Sequence, residues 1–284
     1  MPGSARESDR RGDGKVMLID THTHCFPDVL APRAIDSLSG GSKQLAHTDG
    51  TLSGLISSMD EYGVDKSFVL NIATNPRQQE NVNKFAVAIN NYKGRIISFG
   101  SINPDCPDKK AAAKQIKESG LYGIKLHPDF MGHDFSDDAF SEVLSACTEC
   151  DLTVVIHAGL DFVSLNHVHA TPEMIASVCD KFPSLRLVCA HFGANFMYEK
   201  SAELLSKKNI WIDTAYSSHV GDVEGAKEVF SAFDNNRIMF ATDSPWETPA
   251  DTMAFIDKLE LSEEQKEKLL HKNAEKLIEL SEKR

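Results

Sequence analysis

Eight short apolar runs recur along this chain, and most of them bear a histidine, lysine or aspartate at their end or within two residues of it. They cover residues 16–20, 66–71, 96–102, 123–126, 153–157, 186–191, 210–214 and 238–242. Several are continuous, such as Val154-Val155-Ile156 and Leu187-Val188-Cys189-Ala190. Continuous rather than alternating apolar character suits parallel strands covered on both faces. Helical spacing fills the gaps. Leu52, Leu55, Ile56 and Met59 share one face before Gly63, and Val82, Phe85, Ala86 and Ile89 do so before Gly94. Further helices are expected over 111–119, 138–150, 172–181, 198–207, 223–233 and 251–259, with one or two more over 262–280. Thr171-Pro172-Glu173 is a helix start, a capping residue followed by proline in the first turn.

Eight strand-then-helix units point to a closed (β/α)8 barrel. The 284 residues fit, since such a barrel takes about 250. An open doubly wound sheet is the alternative, but no Gly-x-Gly-x-x-Gly loop follows any strand. No linker interrupts the chain after residue 15. The expectation is one domain over 15–284, preceded by a disordered leader or expression remnant over 1–14. The longest irregular stretch is 27–50, which contains Ser39-Gly40-Gly41-Ser42-Lys43. In a barrel it would lie over the active-site mouth, as a lid, a substrate-reading loop or a plain connector.

The net charge of −12 argues against a nucleic-acid surface. No apolar stretch approaches the roughly 20 residues of a membrane span, and the N-terminus lacks the apolar core of a signal peptide. Six cysteines at irregular positions fit reduced thiols in a cytoplasmic protein. Cys147-x-x-Cys150 has no second pair to complete a zinc site and reads as structural.

The polar residues at the strand ends are the candidate site. His22 and His24, in Ile19-Asp20-Thr21-His22-Thr23-His24, project to one side of an extended segment. Lys125 and His127, His157, His191 and Asp243 follow later apolar runs. From Lys125 to His157 is 32 residues and from His157 to His191 is 34, one strand-helix unit each. In a barrel all strand ends meet at one rim. Strands one, four, five, six and eight would therefore deliver metal-ligand and acid-base groups together.

This pattern resembles the amidohydrolase superfamily, and more closely its amidohydrolase-related branch. That branch of TIM-barrel metal-dependent hydrolases also contains aminocarboxymuconate-semialdehyde-type decarboxylases. The matching elements are Asp20-Thr-His22-Thr-His24, Gly123-Ile-Lys125-Leu-His127-Pro128, Val155-Ile-His157-Ala-Gly159, Cys189-Ala-His191-Phe-Gly193 and Ala241-Thr-Asp243-Ser-Pro245-Trp246. Asn273-Ala274 with Leu277 resembles the branch's closing helix.

The resemblance implies that His22, His24, His157 and Asp243 hold one divalent metal. Zinc is favoured over manganese or iron, and a second ion is possible. Imidazole and carboxylate suit these metals and leave positions open for water. A bound ion lowers the pKa of its water toward about 7. Asp243 and His191 are then the expected catalytic pair, Asp243 accepting a proton and His191 assisting the developing charge. The alternative for His191 is a metal ligand. Lys125, His127 and Trp246 are expected to bind substrate. A carboxylated Lys125 bridging two metals with His157 and His191 is the competing arrangement. His167, His169 and His219 could join the rim or lie in solvated loops.

The leading expectation is an enzyme: a metal-dependent hydrolase whose activated water attacks an amide, lactone, ester or amidine of a small molecule. The alternative enzyme is a metal-dependent non-oxidative decarboxylase of a small carboxylic acid. A non-catalytic metal- or metabolite-binding barrel is the third reading. A deoxyribonuclease is disfavoured by the acidic charge and by a fourth strand that carries Lys125 and His127. The expected partner is a small-molecule substrate, with no nucleic acid and no membrane, and self-association is possible.

Overall fold

The computed structural model describes residues 16–42 and 44–282. The leader expected over 1–14 therefore lies outside the described residues. All eight anticipated strands form: β1 (Ile19–Thr23), β2 (Lys66–Leu70), β3 (Ile96–Phe99), β4 (Gly123–Leu126), β5 (Thr153–Ile156), β6 (Leu187–Cys189), β7 (Ile210–Asp213) and β8 (Ile238–Met239). Helices α1 (Ala31–Ser42), α2 (Leu52–Tyr62), α3 (Gln79–Ile89), α4 (Lys109–Glu118), α5 (Pro128–Met131) and α6 (Asp138–Glu149) accompany the first half. Helices α7 (Pro172–Lys181), α8 (Tyr198–Leu205), α9 (Ser217–Val220), α10 (Val223–Ala232), α11 (Pro249–Asp257), α12 (Glu263–Glu267) and α13 (Asn273–Glu282) accompany the second.

All neighbouring strands pair in parallel, β1-β2-β3 in one run and β4-β5-β6-β7-β8 in another. Backbone hydrogen bonds close both seams. Gly100 N–H donates to Gly123 and Lys125 N–H donates to Gly100, joining β3 to β4. Thr21 N–H donates to Phe240, Asp243 N–H to His22 and His24 N–H to Ser244, joining β1 to the segment after β8. The result is the (β/α)8 barrel, with no free sheet edge.

Most strands end a few residues short of the expected runs, as β3, β6 and β8 do, and two further differences bear on the site. The first strand runs Ile19–Thr23 rather than 16–20, because Val16 is 55% exposed while every residue of Ile19–Thr23 is buried. His22 thus lies inside the strand. The pairing of β1 with β2 is irregular between Asp20 and Thr23. The second difference is α1, which occupies much of the stretch read as irregular. Its Ser-Leu-Ser-Gly-Gly-Ser ending masks the helical spacing of Leu30, Ala34 and Leu38.

The core has two layers. Ile19, Phe68, Phe99, Val155, Val188 and Trp211 pack with Ala274, Leu277 and Ile278 of α13. The C-terminal helix therefore packs onto the strands' own apolar side chains. The larger outer layer sets Ile124, Leu126, Val154, Ile156, Leu187 and Cys189 against helix residues such as Phe140, Ile175 and Leu205. Strands buried on both faces explain the continuous apolar runs. Asn273 ties α13 to β8, donating to the carbonyls of Asn235 and Ile238. Gly123 is required where β4 meets β5, since a Cβ there would lie 2.0 Å from the Thr153 carbonyl oxygen.

Thr171 caps α7, and Thr248 and Ser262 form capping boxes on α11 and α12. All six cysteines are free, and Cys147 of α6 is buried in the core. Among the described residues no helix is long and apolar enough to cross a membrane.

Candidate active site

The strand ends open into a cavity of about 760 Å³. His22, His24, Lys125, His127, His157, His191, Asp243 and Trp246, all singled out from the sequence, line it. Its upper walls are apolar and aromatic, with Phe26, Phe85, Phe130, Phe162 and Tyr216. Helix α1 contributes Arg33, Ala34, Ser37 and Leu38, so the 27–50 stretch does border the mouth.

At the floor, His22 Nε2 and His24 Nε2 each lie 3.2 Å from Asp243 Oδ1. The outer nitrogens are already committed. His22 Nδ1 faces Asp213 Oδ2 at 3.0 Å, and His24 Nδ1 faces the Leu70 carbonyl at 2.9 Å. A carbonyl only accepts, so His24 carries its proton on Nδ1. Asp213 Oδ1 accepts the His191 and Ala215 backbone N–H groups, leaving Oδ2 for His22 Nδ1–H. In the neutral His22 ring Nε2 is then a lone pair, and the Nε2 atoms of both rings are aimed at the same carboxylate oxygen. That arrangement calls for a cation, and the donor set of two imidazoles and one carboxylate fits a divalent ion.

The electrostatics agree. Burial pushes His22 and His157 well below the ordinary imidazole value and takes His191 to about 4, with the nearby Lys125 charge acting in the same direction on all three. Neutral imidazole is the form that binds a cation. Burial pushes Asp243 up, but its neighbours His24, His191 and Lys125 outweigh it and hold the carboxyl below its ordinary value. Burial brings Lys125 down to about 8, against the pull of Asp213, Asp243 and Asp161. Its Nζ lies 3.2 Å from His22 Nε2.

The expected ligands do not all converge. His157 stands apart from the His22, His24 and Asp243 group. Its Nδ1 lies 3.0 Å from His191 Nε2, and its ring stacks on His127 at 4.3 Å between centroids. The bridging arrangement of Lys125, His157 and His191 brings only the two histidines together, because Lys125 faces His22. His191 Nδ1 donates to the Ala215 carbonyl. His191, Tyr216 and Asp243 hold positive φ angles of 60°, 66° and 66°. Non-glycine residues pay for this conformation, and it recurs where geometry serves a site.

Outside the cavity, His167 and His169 both face Asp134 Oδ1, at 2.6 and 2.9 Å. His219 stacks on Tyr216 and pairs with the buried Glu247. Two site carboxylates were not singled out from the sequence. Asp161 lies four residues beyond His157 on the loop that follows β5. Burial raises its pKa, but the His127 hydrogen bond and the His157 and His127 charges hold it well below the usual carboxylate range. Asp213 ends β7, and only its strand-end position could have marked it.

The model of the amidohydrolase family described as "Amidohydrolase" matches residues 19–280. The decarboxylase orsB of Emericella nidulans is 26% identical over 135 residues, 40% of this chain and 40% of that protein. Among solved structures, 5-carboxyvanillate decarboxylase of Novosphingobium aromaticivorans, complexed with manganese and 4-hydroxy-3-methoxy-5-nitrobenzoic acid, superposes with a TM-score of 0.66. It is 18% identical, with 93% of this chain and 96% of that one covered. A 2,6-dihydroxybenzoate decarboxylase complexed with 2,6-dihydroxybenzoate gives a TM-score of 0.67 at 13% identity, with 93% of this chain and 100% of the other covered.

Proposed function

The chain belongs to the amidohydrolase family, and from that premise we propose that it is a metal-dependent, non-oxidative decarboxylase of a small carboxylated aromatic or similarly unsaturated acid. The observation that carries this reading is the contrast within the cavity: a buried ammonium, imidazoles and a carboxylate at the floor, aromatic side chains above. A flat acid fits both parts, its ring against Phe130, Phe162 and Trp246 and its charge on the floor. The curated relative and two structural relatives named above are decarboxylases, which supports this reading over hydrolysis.

His22, His24 and Asp243 would hold the ion; the family resemblance adds His157, which stands apart from these three with its Nδ1 against His191. Zinc, manganese and iron all suit this donor set. When bound, the ion supplies a Lewis acid that orients an anionic substrate and stabilises charge as the carbon–carboxylate bond breaks. Lys125 supports the same anion as a buried cation. Arg33 and Arg77 line the cavity and add positive charge for an incoming acid. The departing carboxylate leaves as carbon dioxide, its bonding pair stays on the carbon, and a proton must replace it. His191 and Asp243 are the groups that manage this proton. The apolar walls exclude water from the developing carbanion.

Hydrolysis is the second reading. The family takes its name from it, and Asp243 is a carboxylate base beside His22 and His24, suited to accept a proton from water. The test is a substrate panel with metal-loaded protein and direct detection of carbon dioxide. Release from hydroxylated benzoates or muconate-like acids, abolished by His24→Ala, is the expected result. Turnover of lactones, amides or esters without carbon dioxide would replace this reading with hydrolysis.

A further inference from the structure

A one-ring acid is smaller than this cavity. Cavities of about 300–1,000 Å³ enclose drug-sized ligands, and this one measures about 760 Å³. The charged floor takes the acid group, and Phe130, Phe162 and Trp246 take the ring. The wall built by the segments that follow β1 and β2 is assigned to neither.

That wall has three pieces. The end of β2 supplies Leu70, 1% exposed, and Ile72 follows just beyond it. Helix α3 supplies Val82 and Phe85, three residues apart and so on one face. Phe85 also packs on the cluster of Leu55, Ile56 and Met59, which backs its ring. The third piece is Leu30 and Ala34, four residues apart. The Ala34 N–H donates to the Leu30 carbonyl, so the helical geometry of α1 reaches back to Leu30.

The polar residues of the same wall lie at its outer edge. Arg33, Arg77 and Gln78 are exposed, whereas Ile72, Val82 and Phe85 are half-buried. The wall is thus polar where it meets solvent and apolar further in. Leu30 is the exception, 55% exposed at the lip. Covering apolar surface of this kind is favourable, and it suits a ligand with an apolar part of its own.

We propose that this wall is an apolar arm of the active site, and that the substrate is an aromatic acid carrying an alkyl chain, which lies against Leu30, Ala34, Ile72, Val82 and Phe85. The chemistry at the floor remains that of the decarboxylase reading, on which this substrate class rests. The chain lies away from the bond that breaks. The arm therefore holds it equally before and during reaction, which lowers KM rather than raising kcat.

The experiment is a series of 2-hydroxybenzoates bearing methyl, propyl or pentyl at each free ring position, titrated by calorimetry into the full chain loaded with manganese. Each fully buried methylene strengthens binding by about fourfold. For at least one ring position, pentyl should bind about 10²-fold more tightly than methyl. A gain below about tenfold at every position overturns the arm. Ala34→Trp fills the space beside Leu30 and should flatten the series. A series as steep as that of wild type would place the chain elsewhere and also overturn the arm. Val82→Asp, checked by its thermal melt, serves where Ala34→Trp does not fold. Failure of the decarboxylase reading shows separately, as chain-dependent binding without release of carbon dioxide.

Discussion

Lys125 Nζ and His22 Nε2 face each other at 3.2 Å, bringing the fourth strand's lysine against the first strand's histidine at the cavity floor. The ammonium therefore shares the space into which His22 points its lone pair. Replacing Lys125 by methionine keeps the stem's packing and removes the charge. The expected result is a fall in kcat of about 10²–10³, the scale seen when one preorganised charge-stabilising donor is lost. Zinc affinity at His22 and His24 should hold or rise, since a neighbouring positive charge is gone. Calorimetry with steady-state kinetics separates the two effects. A loss of zinc binding would instead make Lys125 part of the metal site.

Asp213 orients His22 through Oδ2 and fixes the His191 and Ala215 backbone through Oδ1. Removing an orienting carboxylate behind a metal-binding histidine costs about 10–100-fold in affinity. Asp213→Ala should weaken zinc binding by that factor. Unchanged affinity would show that His22 needs no such support.

His219 provides a pH signature. Its hydrogen bond to Glu247 raises its pKa above the ordinary 6.5, and burial only partly opposes this. A histidine raised in the folded state stabilises below its unfolded value, and that contribution is lost as pH rises through the folded value. The melting temperature of wild type should exceed that of His219→Gln most below pH 6.5, with the gap closing above it. A gap that widens with rising pH would reverse the assignment.

Gly123 tests the barrel itself. An alanine Cβ would lie 2.0 Å from the Thr153 carbonyl oxygen, and backbone cannot yield as a side-chain tip can. Gly123→Ala should cost about 3 kcal/mol or more and lower Tm by about 5 °C or more. A melt matching wild type would mean that β4 and β5 are not paired in this register.

The fold was legible because strands buried on both faces write continuous apolar runs, and each unit ends in a helix with its own start and stop signals. All eight strands and the helices α2, α3, α4, α6, α7, α8, α10 and α11 follow from that, whereas the short α5 and α9 do not. The first strand's shift and helix α1 were not legible. Exposure of Val16 and the packing of a Ser- and Gly-rich segment depend on tertiary neighbours. The site was legible where chemistry sits at a strand end, as with His22, Lys125, His191 and Asp243. Asp161 was hidden because a loop, not a strand, carries it beside His157. The split of the histidines into two groups was hidden because it depends on ring orientation, which hydrogen bonds to Ala215 and Leu70 decide.

Anomalous scattering at the zinc absorption edge, from crystals grown with zinc, tests the central claim most directly. The account predicts a peak bonded to His22 Nε2, His24 Nε2 and Asp243. Full-occupancy zinc elsewhere, with no peak among these three atoms, would contradict it.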